Sequence, residues 1–546
     1  MRRLDELTLY IREDLASSAP SFVTEEGTYE LQCLKTCPGD ELRFPQLATQ
    51  SRVTFAEVKE EISISTLQTR SAIITSKIRA GLALLLTSEL IDPMGSHPIP
   101  RDDKSSYNST ASSDSDGSRT FMIFNVGNAI HISDLNPDNK WPRKSVHFCS
   151  SYPTCHAFDG EATDRHDLVI GMSNGDAYSV SLREQLQSAG KKLVGARCYK
   201  NNGSFILRCK RKVAEIFFFA CRLPFLQKYL FSFSKAGGCT SIAWVPNSNG
   251  DFAVTHDDGN LYVYSKNRHG IGDPSFPIIE DKTEFAFARA LNTEANPTAR
   301  WHICEKPINS VAFSNDGAYM STVGRDGYLR VFGYRNGQLI RFSKSFCSAL
   351  LCCAWSVDRK YIVTGGADDK VYVWSMEKQR MVAWGKGHKS FVVGVAFDPY
   401  WPIPSFDDAN QDVMYQFGSV GLDAHLNLWN FRKDVMDPAG ERNPSDGSQG
   451  QGSSSSYRSP MALPGPIQQP SRRLQDIMEL HQPVACHAHA APLSGLIFTQ
   501  ESVLTSCRMG LVKIWTRPGA PAEGELSNQA SSASSPSLKH WLGIDP

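Results

Sequence analysis

Cys486-His487-Ala488-His489 places a thiol and two imidazoles, side chains that hold zinc, within one short run. No second cluster supplies the remaining ligands, so the run reads as structural. His166, with Asp164 and Asp167 close by, reads as a polar loop. Cys352 and Cys353 read as small apolar residues of a strand. No HExxH, GxSxG, P-loop or CxxC motif is expected to carry chemistry. No enzyme activity, cofactor or metal is expected. Asp258, Asp326, Asp368 and Asp423 recur in similar contexts and read as turn formers before they read as acids.

The 546 residues are 41% hydrophobic and 21% charged, with 57 basic and 57 acidic side chains. A neutral chain has no bulk field to draw it to nucleic acid or an anionic membrane. The start, MRRLDELTLYIREDL, has no apolar run of signal-peptide length, so a cytoplasmic and/or nuclear location is expected. The 14 cysteines then read as thiols. Residues 102–120, 434–475 and 518–546 are rich in Ser, Pro, Gly or Ala and read as a disordered insert, linker loop and tail.

The elements that must carry these residues repeat. INSVAFSNDGAYMSTVGRDGYLRVFGY (308–334) aligns with LLCCAWSVDRKYIVTGGADDKVYVWSM (350–376). Phe313 moves to Trp355, Asp326 moves to Asp368, and Phe397 follows Trp355, each by 42 residues. Further copies begin at CTSIAW (239–244) and LSGLIF (493–498). Each unit reads as an alternating strand, a polar turn, a second strand, a tight turn with Asp, and a third strand. Residues between units supply a fourth. FMIFNVGNAIHISDL (121–135) and HDLVIGMSNGDAYSVSL (166–182) read as weaker copies.

These units resemble WD repeats, whose period is about 40–45 residues. Trp374, Trp429 and Trp515 take the strand-end position, and His388 and His489 the repeat histidine. Met509 replaces the turn Asp of the last copy, so a His–Asp bond is not expected there. The fold expected is an all-β WD-repeat β-propeller of seven blades. Residues 1–100 form an extension that contributes to or packs on it, 121–433 the blades, and 476–517 the last blade. The apolar run EIFFFACRLPFLQKYLFSF (215–233) is broken by Glu215, Arg222, Pro224 and Lys228, which argues against a membrane span. It reads as part of an insertion over 204–237 in an inter-blade loop.

GRDGYLRVF, LLCCAWS, KYIVTGGADDKVYVWSM, GHKSFVVGVAFDPYW and PLSGLIFTQESVLTSCR are similar to one branch of WD-repeat proteins. The branch includes the fungal catabolite-repression protein creC and the dystrophia myotonica WD-repeat protein. The resemblance implies a non-catalytic partner of a ubiquitin-specific protease, acting with a second WD-repeat protein. In such propellers the loops before each first and third strand share a top face. The corresponding residues here include Phe391, Phe346, Cys347, Arg325, Ala367 and Leu422. Asp423, Trp429 and Arg432 also fit the spacing of cullin–RING substrate receptors, with Asn430 in place of an acid.

Overall fold

The computed structural model describes residues 14, 16–35, 52–59, 118–135, 142–149, 151–160, 167–188, 190–200, 237–268, 276–292, 294–401, 414–432, 473–481 and 483–518. The chain divides into two compact units, Met1–Thr54 with Met122–Pro546, and Phe55–Phe121. In the second unit the described residues, 55–59 and 118–121, are all strand.

The described strands form seven sheets, a seven-bladed β-propeller. Blade 1 has strands Val53–Lys59, Ser118–Val126, Ala129–Asp134 and Lys144–His147, and blade 2 Pro153–Phe158, Leu168–Met172, Ala177–Val180 and Arg197–Tyr199. Blade 3 is built from Cys239–Trp244, Asp251–His256, Asn260–Ser265 and Ala299–His302, with Ala286–Arg289 added outside the last, and blade 4 from Ile308–Phe313, Tyr319–Gly324, Tyr328–Gly333 and Gln338–Lys344. Blade 5 holds Leu350–Trp355, Tyr361–Gly366, Lys370–Ser375 and Arg380–Lys386; blade 6 holds Val392–Phe397, Met414–Gly421, His425–Arg432 and Val484–His487.

The first strands PTCHAF, CTSIAW, INSVAF and LLCCAW share one burial pattern, two residues buried in mid-strand and the last two half-buried. The third strands NLYVYS, YLRVFG and KVYVWS are buried at every position after the first. A lone sheet would expose one face. Here each sheet packs between two others, so both faces are apolar. Val323, Leu329 and Val331 of blade 4 meet Cys353, Ile362, Tyr372 and Trp374 of blade 5 in one such layer. Fully burying one of these large side chains is worth about 1.5–3 kcal/mol. Weakly patterned blade 2 thus follows the same rule as the clear copies.

Blade 7 joins the two ends of the sequence. Leu493–Phe498, Ser502–Cys507 and Val512–Thr516 are followed in the sheet by Gly27–Lys35 and then Ser21–Thr24. Leu31 pairs with Trp515 and Leu34 with Lys513. Phe22 stacks on Tyr29 at 4.8 Å and meets Trp515 edge-on at 5.4 Å.

Several expected boundaries move. Residues 476–517, expected as one blade, are shared among three. Met478–Glu479 adds in parallel to blade 5, Val484–His487 completes blade 6, and only the rest enters blade 7. The outermost strand of a blade precedes the next blade in the chain, so a sequence repeat straddles two sheets. Residues 118–120, expected within the disordered insert, begin a strand. Residues 474–475, expected in the linker, begin a 3-10 turn. The apolar run 215–233, the rest of the 204–237 insertion apart from Gly237, and the tail beyond Pro518 lie outside the described residues. Among the described residues no helix is long and apolar enough to cross a membrane.

Candidate interaction surface: the loop rim

One backbone contact recurs at the same end of six sheets. The residue before the turn leading into the third strand donates its N–H to the residue just before the first strand. Arg325 donates to Pro307 at 3.0 Å, Ala367 to Ala349 at 3.0 Å, Leu422 to Phe391 at 2.9 Å and Arg508 to Pro492 at 2.9 Å. Asp257 to Gly238 and Ser173 to Tyr152 repeat the contact in blades 3 and 2. These twelve residues form a rim of paired loops. Tyr152, Ser173 and Arg508 carry no sequence signal, because blades 2 and 7 lack the Asp-containing turn that marks the others; Asp257 does stand beside such a turn, at Asp258.

The turn acids are used internally. Asp258, Asp326 and Asp423 each accept the N–H two residues on, at 3.0, 3.1 and 3.2 Å. Asp326 also holds Arg330 at 2.6 Å, and Asp368 takes the Tyr372 hydroxyl at 2.5 Å. The next residue has positive φ in each case: Gly259, Gly327, Asp369 and Ala424. At Gly327 a Cβ would sit 2.4 Å from the Cys347 carbonyl oxygen, so the adjoining loop excludes a side chain there.

Behind the rim, Trp429 Nε1–H donates to Ser419 Oγ at 2.8 Å, and that hydroxyl contacts His388 Nε2 at 2.8 Å. His388 Nδ1 lies 3.1 Å from Asp423 Oδ1, and the Lys389 N–H donates to Oδ2 at 2.7 Å. Although burial works against it, the His388 hydrogen bond and the Lys389 N–H hold the Asp423 carboxyl below the usual range. In blade 5 the Trp374 indole donates to Thr364 at 2.9 Å, with no histidine following.

Blade 7 repeats the Trp-to-His half of the relay. Trp515 Nε1–H donates to Thr505 Oγ1 at 3.0 Å, and His489 Nε2 contacts the same oxygen at 3.0 Å. The nearby acid comes from far away in sequence. Asp14 Oδ1 lies 3.8 Å from His489 Nδ1 and accepts the Ala490 N–H at 2.7 Å. Its other oxygen is 2.5 Å from Lys513 Nζ, and both side chains are fully buried. As Met509 leads one to expect, no His–Asp hydrogen bond forms here: among the described residues His489 Nδ1 has no hydrogen-bond partner, and Asp14 of the N-terminal segment stands 3.8 Å from it.

The run Cys486–His489 is divided among different roles. Cys486 lies in the core, His487 Nδ1–H donates to Ser17 O at 2.8 Å, and His489 belongs to the relay. Gly171-Met172-Ser173-Asn174-Gly175 has the letter spacing of a hydrolase nucleophile elbow, which the sequence reading passed over. It forms a strand-to-strand hairpin, and the Ser173 hydroxyl accepts the Tyr152 N–H at 3.2 Å with no imidazole beside it. The eleven cysteines among the described residues are free thiols.

Burial sorts the expected contact residues. Phe391 and Phe346 are each 46% exposed. Arg325 is exposed, and Ala367 and Leu422 are half-buried. Cys347 is the exception at 3% exposed, packed with Leu329, Leu350 and Tyr372, and it cannot serve as a surface anchor. The Ser345 hydroxyl causes this. It donates within the loop, to Gly327 O at 2.9 Å or Cys347 O at 3.1 Å, and accepts the Cys347 N–H at 3.2 Å. The loop tucks Cys347 under and leaves Phe346 out.

Residues 296–333 and 338–375 match the family model for the WD domain, G-beta repeat. Those segments are the fourth strand of blade 3 with the first three strands of blade 4, and the fourth strand of blade 4 with the first three of blade 5. The chain is a WD-repeat propeller. Such propellers are typically non-catalytic scaffolds for protein interaction, and the WD-repeat rim is where this one presents exposed aromatic side chains beside cations.

Three buried histidines, His489, His156 and His256, make the fold sensitive to acid. Burial, with the Lys513 charge second, pulls His489 down to about 3; burial pulls His156 down to about 4 and lowers His256. Below pH of about 6.5 the unfolded chain binds protons that these folded imidazoles refuse. Stability present above that pH is lost as pH falls, by about 2 kcal/mol each for His489 and His156 at pH 5, with His256 adding in the same direction. Asp257 and Asp398, raised by burial, oppose this only in the carboxylate range. Urea midpoints at pH 7, 6 and 5 are expected to fall steeply; a flat profile contradicts neutral burial.

Proposed function

We propose that this WD-repeat protein is a non-catalytic subunit that binds a ubiquitin-specific protease through its loop rim and raises its activity. It acts in the cytoplasm and/or nucleus, with a second WD-repeat protein in the assembly. The observation that carries the reading is the pair of half-exposed phenylalanines, Phe346 and Phe391, on loops entering adjacent blades. Exposed aromatics at loop tips make effective interface anchors. Arg325 and Lys389 are exposed on the same rim, while Asp326 and Asp423 are committed to internal bonds. A partner that fits presents an apolar pocket edged by carboxylates. The protease class rests on the resemblance of the repeat motifs to the deubiquitinase co-activators.

The test is cleavage of a fluorogenic ubiquitin substrate by a purified candidate protease, with and without this chain. Faster cleavage is expected; an unchanged rate in a complex that forms removes the activating role. The cullin-receptor alternative is the weaker one. Asp423 and Trp429 are engaged within blade 6, and Trp429 is 1% exposed, so only Arg432 of that trio is exposed.

A further inference from the structure

The outer strand of blade 4, Gln338–Lys344, pairs along one side with Tyr328–Gly333. Among the described residues no strand pairs with its other side. Blade 5 shows what that side can accept. Its outer strand, Arg380–Lys386, takes a parallel addition in which Ala383 pairs with Met478 and Trp384 with Glu479. The Leu480 N–H donates to Trp384 O at 2.7 Å, so the Trp384 carbonyl faces outward. A step of 42 residues carries Ala383 and Trp384 onto Arg341 and Phe342. The register against the third strand is the same in both blades, including the bulge. The Phe342 carbonyl therefore faces outward in the same way, with no described strand to meet it.

The second observation is a charge. Where blade 5 has the fully buried Ala383, blade 4 has Arg341. Arg341 Nε–H donates to Ser343 Oγ at 2.9 Å, but Nη1 is buried with no partner. Desolvation by burial lowers its pKa to about 10, with no carboxylate opposing the shift. A desolvated guanidinium without a counter-charge is costly to keep. Exposed charges commonly guard sheet edges, and Lys344 fits that role. Arg341 does not, because its guanidinium is partly buried.

We propose that the outer edge of blade 4 is a docking strand for an extended segment of a partner protein. The segment adds in parallel, in the register Met478–Glu479 takes on blade 5, and places an aspartate or glutamate beside Arg341. This edge is separate from the loop rim and does not depend on the protease reading.

The probes are two synthetic peptides with the sequence of residues 474–481, one carrying Met478→Glu and the other Met478→Lys. Each is titrated into the intact protein while amide hydrogen exchange is followed. The glutamate peptide is expected to bind at least about ten-fold more tightly and to slow exchange within Gln338–Lys344. Arg341→Gln should abolish the preference at an unchanged melting temperature, and Arg341→Glu should reverse it. Equal affinities, a preference that survives Arg341→Gln, or no protection at saturating peptide overturns the proposal. Protection already present in the free protein assigns the edge to a segment of this chain and overturns it too.

Discussion

Asp14→Ala is expected to destabilise the propeller by about 3–5 kcal/mol, read as a drop in urea midpoint. The aspartate is fully buried, and the Lys513 ammonium 2.5 Å away is buried with it. The other Lys513 partners are neutral, Ser18 Oγ at 2.5 Å and Ala488 O at 2.9 Å. Without Asp14 the ammonium keeps its desolvation cost and loses its counter-charge. The Ala490 N–H also loses its acceptor. Lys513→Met in the same chain should recover much of the loss, because an apolar side chain of similar length needs no counter-charge. A double-mutant cycle with a coupling below about 1 kcal/mol would show that the pair is not the lock it resembles.

Phe391→Ala is expected to weaken binding of the proposed protease partner by about 2 kcal/mol or more, roughly thirty-fold in Kd, while leaving the melting temperature unchanged. The ring is 46% exposed, so its truncation removes little core packing. Its carbonyl still accepts the Leu422 N–H, which holds the loop in place. Phe346→Ala should act in the same direction, and Arg325→Ala less strongly because rim charges are well solvated. Unchanged affinity for Phe391→Ala, measured by titration calorimetry on folded protein, would take this residue out of the binding surface.

Much of the architecture was legible because it is local. The strands CTSIAW, INSVAF, LLCCAW, VVGVAF and LSGLIF are observed at the residues where alternation predicts them. The step of 42 residues even carries the strand register from blade 4 to blade 5. What stayed hidden depends on residues far apart. No periodicity links Asp14 to His489, and nothing local links the hairpin of Ser21–Thr24 and Gly27–Lys35 to Val512–Thr516, the strand it joins. Met509 did signal that the His–Asp hydrogen bond is missing, but nothing in the sequence announced that Asp14 would stand 3.8 Å from the histidine. Cys347 failed for a different reason. Its offset placed it on the rim, but the Ser345 hydrogen bonds turn the loop over by one residue. Phe346 and Phe391 were readable because large apolar residues at loop tips stand out against polar neighbours.

Blade 7 has a consequence for synthesis on the ribosome. Its N-terminal strands leave the exit tunnel first, yet the strand they pair with comes last. Ser18 and Lys513 are 495 residues apart. At roughly 5–20 residues per second, the earlier segment waits about half a minute to a minute and a half for its neighbour. Throughout that interval Phe22, Tyr29 and the Gly27–Lys35 edge have no blade to enter, while the middle blades can already stack. A nascent chain halted before Val512 holds most of its sheets and none of its clasp, so chaperone demand should peak just before Val512–Thr516 emerges.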